Sequence, residues 1–178
     1  MNTPENFINE NRVQKMPEGV ADLSRLTGKY LTFNLGGEGY GLEILKVQEI
    51  IGMQTITKMP KTSAYMKGVI NLRGKVIPVV DLRLKFSMEE QETTRKTCII
   101  VVQVKGVHTA LILGILVDEV SEVLDIAEDQ IEAVPTLGSQ VDTRFILGMA
   151  KAENSVKILL DIDRVLSADE LDTLQHSS

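Results

Sequence analysis

Apolar residues recur along this chain at strand spacing, in short runs broken by glycine and polar turns. Tyr30 to Leu35 alternates apolar with polar, the pattern of a half-buried strand. Gly36-Gly37-Glu38-Gly39 then predicts a tight turn into a second strand over Tyr40 to Ile44. A glycine cluster can also cradle phosphate, but no Lys-Ser/Thr follows it and no long helix opens. Val47 to Met53 reads as a third strand, and the stretch Thr55 to Ser63, with Pro60, as a connection. Gly68–Leu72 and Lys75–Val80 form a predicted hairpin around Arg73-Gly74. Pro78 has no N–H, so it belongs at a strand edge or bulge.

Further along, Cys98 to Val104 is a strongly apolar, β-branched strand. His108 to Val117 and Val120 to Ile126 follow it. Ala127 to Arg144 is irregular, with Pro135 and Gly138. Phe145 to Ala152 and Val156 to Leu160 complete the strand set. Asp81 and Asp161 each end a strand before a short apolar-periodic segment, where a carboxylate can cap a helix. Ser167-Ala168-Asp169-Glu170 is a capping box that starts a terminal helix through Leu174. Residues 1–28 carry little periodicity and read as a loose arm, with a helical turn near Val20 to Leu26.

The pattern repeats. GVINLRGKVIPVVD at Gly68–Asp81 aligns without a gap on GMAKAENSVKILLD at Gly148–Asp161, an offset of 80. Tyr40-Gly41-Leu42 through Val47 and Glu49-Ile50-Ile51 match Leu113-Gly114-Ile115 through Val120 and Glu122-Val123-Leu124, at an offset of 73. Self-similarity at two offsets in the same order indicates an internal duplication. Gly74 aligns with Asn154, the two residue types that best tolerate positive φ, so both copies are expected to share a left-handed turn position there. About five short strands per half close best into a small barrel, which removes exposed edges.

Composition narrows the class. The chain has 178 residues, 43% of them hydrophobic, with no Trp, so Val, Ile and Leu must fill the core. No apolar run approaches the roughly 20 residues of a membrane span, and the N-terminus lacks the layout of a signal peptide. The single cysteine, Cys98, cannot make an internal disulfide, which points to a reducing cytoplasm. The net charge of −6 argues against nucleic acid as the main partner. Charge is divided unevenly: residues 1–86 carry 12 Lys+Arg against 8 Asp+Glu, and residues 87–178 carry 7 against 17. Two readings stand, plain solvation of two surfaces, or fields that steer two different partners.

Catalytic chemistry is hard to find. There is no G-x-S-x-G string, and His108, His176 and Cys98 do not form a metal-ligand pattern. The acidic run Asp118 to Asp129 lacks the central glycine of a calcium loop and reads as solvated strand faces. Cys98 opens a buried-looking strand, where packing is its ordinary role. No cofactor is expected. Arg73 stands out because it puts a long, flat cation at a hairpin tip. It reads either as an ordinary exposed turn residue or as an interface anchor.

The strings LEILKVQEII and MKGVINLRGKVIPVVDLRLKF closely resemble the CheW family of bacterial chemotaxis coupling proteins, and the likeness runs in order from about Lys29 to Leu174. The resemblance implies a mainly β fold: two intertwined five-stranded SH3-like barrels around a shared hydrophobic region, with short helices and a C-terminal helix. The expected layout is a flexible arm over 1–28 and a CheW-like domain over 29–178. Within it the first barrel spans about 29–86, the second about 97–166, with some strand exchange allowed, and the helix 167–174.

The resemblance also implies a non-catalytic cytoplasmic adaptor. It would join the cytoplasmic tip of transmembrane chemoreceptors to the regulatory domain of the histidine kinase CheA, without entering the membrane itself. The alternatives are a same-fold adaptor of a non-flagellar pathway, and a small-molecule-binding or enzymatic β-barrel. Carried over by position, Arg73 matches the family's coupling arginine. Glu49 and Val47 match partner-binding positions, Ile44 an apolar interface position, and Gly68 and Gly74 the glycines that shape the hairpin. Val117 and Val120 are candidates for a groove between the barrels.

Overall fold

The computed structural model describes residues 23–134 and 143–176. Eleven strands form two sheets. In chain order they are β1 (Gly28–Leu35), β2 (Glu38–Glu43), β3 (Val47–Gly52), β4 (Met66–Leu72), β5 (Lys75–Asp81), β6 (Cys98–Lys105), β7 (Ala110–Val117), β8 (Glu119–Ile126), β9 (Ile131–Glu132), β10 (Ile146–Ala152) and β11 (Ser155–Leu160). Two short helices follow strand ends, α1 (Leu82–Lys85) and α2 (Ala168–His176). One sheet has the order β3-β6-β7-β5-β4, and the other β8-β1-β2-β11-β10-β9.

Each sheet draws strands from both expected stretches, 29–86 and 97–166, which is strand exchange of the kind allowed for in that division. The first barrel is a single contiguous stretch, 47–117, whose edge is met by a bridge between Thr57 and Val69. The second is assembled from both flanks, 28–43 and 119–160, and its sixth strand is the two-residue β9. Each copy of the duplication therefore gives its first two strands to the other copy's barrel. The equivalence holds at residue level. Val79 pairs with Gly114 in the parallel β5–β7 ladder, and its counterpart Leu159 pairs with Gly41 in the parallel β11–β2 ladder. Bulges recur at matching places, between Met66 and Gly68 and between Ile146 and Gly148. A sequence repeat marks the copies, whereas pairing is decided by long-range burial, so the repeat alone could not reveal the exchange.

Three cores result. Ile70, Leu72, Ile77, Val79, Ile99, Val101 and Leu116 fill the first barrel. Tyr30, Ile126, Ile131, Ala150 and Leu159 fill the second. The largest core lies between them and is built from the exchanged strands: Leu31, Phe33 and Leu35 of β1, Ile100, Val102 and Val104 of β6, and Leu113, Ile115 and Val117 of β7. This arrangement explains the unbroken apolar run of β6. Ile99 and Val101 point into the barrel while Ile100 and Val102 point into the shared core, so both faces are dry.

Local signals behave as the chemistry requires. Gly36 (φ 59°) and Gly37 (φ 85°) form the two-residue β1–β2 turn, with positive φ at both central positions. Asp81 accepts from Arg83 N and Leu84 N at the start of α1, and Asp161 accepts from Asp163 N. At α2, Glu170 N donates to Ser167 Oγ (3.1 Å) and Ser167 N donates to Glu170 Oε1 (2.7 Å), a reciprocal capping box. Pro78 lies inside β5 opposite Val69, and the ladder to β7 begins only at Val79. A helical turn is expected near Val20 to Leu26, and the described part of that stretch has one. Leu23–Leu26 forms a 3-10 turn packed on the second barrel's core, and Tyr30 Oη donates to Leu26 O at 2.7 Å. Residues 1–22 lie outside the described part.

Candidate protein-interaction site

Hairpin β4–β5 carries the most distinctive surface feature. Its turn is Arg73-Gly74, with φ of 51° and 89°. Asn71 Oδ1 accepts from Gly74 N at 2.8 Å and braces the loop. At the hairpin's base Gly68 has φ 142°, and a Cβ there would lie 2.1 Å from Thr57 O. That close approach lets Thr57 and Val69 exchange two backbone hydrogen bonds, of 2.9 and 2.8 Å. Gly68 is thus a structural clamp, not a contact residue, and Gly74 serves the turn.

The turn holds Arg73 over β3. Both guanidinium Nη atoms reach the Glu49 carboxylate, Nη1 to Oε1 at 3.2 Å and Nη2 to Oε2. Such a fork is geometrically specific. The Arg73 side chain remains 69% exposed and that of Glu49 30%. The hydrogen bond from Arg73 holds Glu49 below the ordinary carboxylate range, and the same contact raises Arg73. In solvent such a pair adds little to stability.

The duplication supplies an internal control. By the two offsets, Arg73 corresponds to Glu153 and Glu49 to Glu122. Both counterparts are exposed acids and cannot pair with each other. In the second copy the positive φ sits at Glu153 (53°), and Asn154 is not a left-handed position, contrary to the expectation drawn from the Gly74–Asn154 alignment. Lys151 stands where Asn71 does, so the bracing side-chain bond has no counterpart. The hairpin forms all the same, with Ala152 opposite Ser155. The fold does not need the ion pair.

Of the other expected site residues, Ile44 and Val47 are half-buried and pack against the shared core. Val120 does the same. Val117, expected to line a groove, is fully buried in that core and has no surface to offer a partner. The run of apolar residues in β7 hid this, because alternation cannot tell which face is dry when both are.

A groove of about 290 Å³ lies beside the same hairpin. Met59, Tyr65, Val76 and Pro78 form one wall, and Leu166 and Leu174 the other. Val76 is 64% exposed on a strand whose register places it opposite Asn71. Lys85 holds the far wall in place. Its Nζ lies 3.1 Å from both Glu170 carboxylate oxygens and 4.5 Å from the Tyr65 ring centroid. Sequence reading missed this groove. Its walls come from segments about 90 residues apart, and no local pattern joins them.

Among the described residues no helix is long and apolar enough to cross a membrane. No group of three His, Cys, Asp or Glu there is placed to hold a metal ion. Burial pushes the Cys98 thiol up, which disfavours its thiolate.

Comparison with known proteins gives a uniform picture. Residues 29–170 match the CheW-like domain. The chain is 37% identical over 158 residues to the chemotaxis protein CheW of Klebsiella aerogenes, covering 86% of this chain and 93% of that one. It is 34% identical to the chemotaxis protein CheW of Bacillus subtilis, over 79% of this chain and 88% of the relative. Among solved structures, the scaffolding protein TtCheW of Thermoanaerobacter tengcongensis superposes with a TM-score of 0.71 at 34% identity. That match covers 81% of this chain and 97% of the other.

Proposed function

The chain belongs to the CheW-like domain family, and from that premise we propose that it is a non-catalytic adaptor joining transmembrane chemoreceptors to the histidine kinase CheA. It works in the cytoplasm and reaches the membrane-associated receptor array through its partners. The observation that carries this reading is the Arg73–Glu49 pair, kept in one copy of the duplication and replaced by two acids in the other, with the same hairpin in both. A feature the fold can omit is retained for contact. Its planar, pre-paired guanidinium suits an interface anchor.

The groove beside the hairpin supports the second half of the reading. Its apolar walls suit the side chains of a helical receptor tip. The exposed pair suits the kinase's regulatory domain. Both surfaces lie on one hairpin, so a receptor shift in the groove can alter the affinity of the kinase for the pair, and the reverse must hold equally. Chemistry then stays with the kinase, and the adaptor supplies position.

The test is capture by the full-length chain of a kinase regulatory domain and a receptor cytoplasmic fragment, separately and together. Stoichiometric capture of both, weakened by Arg73→Asp, is the expected result. Saturable binding of a small metabolite, with no capture of either protein, overturns the proposal.

A further inference from the structure

The chain passes between the barrels twice, and each passage carries an ion pair. The first passage is the 3-10 turn Ile44–Lys46 between β2 and β3. Lys46 Nζ lies 2.6 Å from Asp163 Oδ2, and Lys105 N donates to Asp163 Oδ1 at 2.9 Å. Asp163 sits in the turn after β11 of the second barrel, and Lys105 ends β6 of the first. One carboxylate therefore grips the passage and the neighbouring barrel together.

The second passage is Asp118, between β7 and β8. Its Oδ1 lies 3.1 Å from Arg83 Nη1, a contact that meets ion-pair but not hydrogen-bond geometry. Its Oδ2 accepts from Gly36 N at 2.9 Å, and its own N donates to Asn34 O at 3.1 Å. Arg83 is on α1 beside the first barrel, with its side chain 3% exposed, while Asn34 and Gly36 belong to the β1 end and β1–β2 turn of the second. Asp118 thus spans the junction. Arg83 is fixed in turn by Asp81, whose Oδ1 lies 3.4 Å from Arg83 Nε. The Lys85–Glu170 pair is a third tie, between α1 and α2.

The signs follow the barrels. The stretch 47–117 carries ten Lys+Arg against five Asp+Glu. Residues 28–46 and 118–166 together carry six against thirteen. Arg83 and Lys85 come from the cationic side, and their partners Asp118 and Glu170 from the acidic side or the helix that follows it, whereas Lys46 and Asp163 both belong to the acidic stretches. The core between the barrels is made of Leu, Ile, Val and aromatic side chains, whose attraction has no direction. It holds two barrels together without dictating their angle. Shielded, directional pairs at two separated points can dictate it.

We propose that Asp118 and Asp163 are positioning residues that set the angle between the barrels. The groove joins Val76 and Pro78 of the first barrel to Leu166 and Leu174, which pack on the shared core, so its width follows how the barrels meet there. This inference does not depend on the identity of any partner.

The test uses the full chain with Cys98→Val as background and spin labels on Val76→Cys and Val156→Cys. These positions are exposed on β5 and β11. Pulsed EPR then reads the barrel-to-barrel distance, and circular dichroism reads the fold. Asp163→Asn and Asp118→Asn are each expected to broaden or shift the distance distribution with strand content unchanged. Lys46→Met should do the same, and Lys46→Arg, which keeps the charge, should restore the parental distribution. A narrow parental distribution in folded Asp163→Asn and Lys46→Met overturns the proposal. Should Asp118→Asn fail to fold, those two variants decide the matter, because their side chains are only partly buried.

Discussion

Hairpin β4–β5 and its copy β10–β11 share a register, a bulge, a parallel neighbour and an exposed valine, Val76 or Val156, yet differ at the turn and its supports. The first has Gly68 pressed on Thr57 O, Asn71 bracing the turn, and Arg73 forked onto Glu49. The second has Gly148, where a Cβ would lie 3.1 Å from Leu26 Cδ1, then Lys151 and Glu153. Duplicated parts that fold alike show which residues the fold demands. What one copy has kept and the other has dropped answers to something outside the fold.

The largest expected effect breaks the comparison at its base. Gly68→Ala places a methyl group on a backbone oxygen, in a backbone region that favours glycine, and should cost about 3 kcal/mol or more. Gly68→Asp adds a buried carboxylate and should cost more still. Gly148→Ala meets a movable leucine end and the Glu132 carbonyl at 3.3 Å, and should cost about 1 kcal/mol. Urea denaturation of the two alanine variants checks the difference, and equal costs would mean that the copies constrain their glycines alike.

Arg73→Asp makes the first copy resemble the second at its tip. Binding should weaken by about 2 kcal/mol, roughly 30-fold, with little change in melting temperature. Titration calorimetry against the kinase and receptor fragments, paired with a thermal melt, separates the two quantities. A collapsed melt would place the pair among the residues the fold requires. The converse change, Glu153→Arg, gives the second copy the charges that Arg73 and Glu49 give the first. Stability should rise by no more than about 0.5 kcal/mol, and no binding should appear in the second barrel.

The smallest effect concerns protons. Arg73 lowers the folded-state pKa of Glu49, so the pair's contribution is present above the ordinary carboxylate value, about 4.3. It is lost as pH falls through the folded value. NMR titration of the Glu49 carboxyl should give a value under the ordinary one, returning upward in Arg73→Ala. An unshifted Glu49 in the parent would mean that the fork is not maintained in solution.

Much of this contrast was legible before any coordinates. The two offsets located both hairpins, and the carboxylates of Asp81 and Asp161 and the Ser167–Glu170 box marked the helix starts, because capping is local chemistry. Gly68 was readable as a close approach because its counterpart was also glycine. The family resemblance implies intertwined barrels, but which strands are exchanged was not readable from the local pattern. Tyr30 pairs with Leu124 and Val79 with Gly114, and no local pattern encodes a partner so far away. Val117 was misplaced for a related reason. Leu116 fills the barrel and Val117 the shared core, so adjacent residues are both buried and periodicity loses its meaning. The Arg73–Glu49 contact needed the structure too, since it joins a turn to a strand more than twenty residues earlier.

The reciprocal exchange of strands also sets a timetable for synthesis. The first barrel is contiguous and has all of its strands once residue 117 has left the ribosome. Strands β1 and β2 are made earliest and cannot be completed by it. Their neighbours β8 and β11 emerge only with residues 119–160. At about 5–20 residues per second, the β1–β2 hairpin waits on the order of ten seconds with both edges unpaired until β8 and β11 are made. The hairpin made before the first barrel is enclosed after it, and its unpaired strand edges are open to wrong partners during that interval.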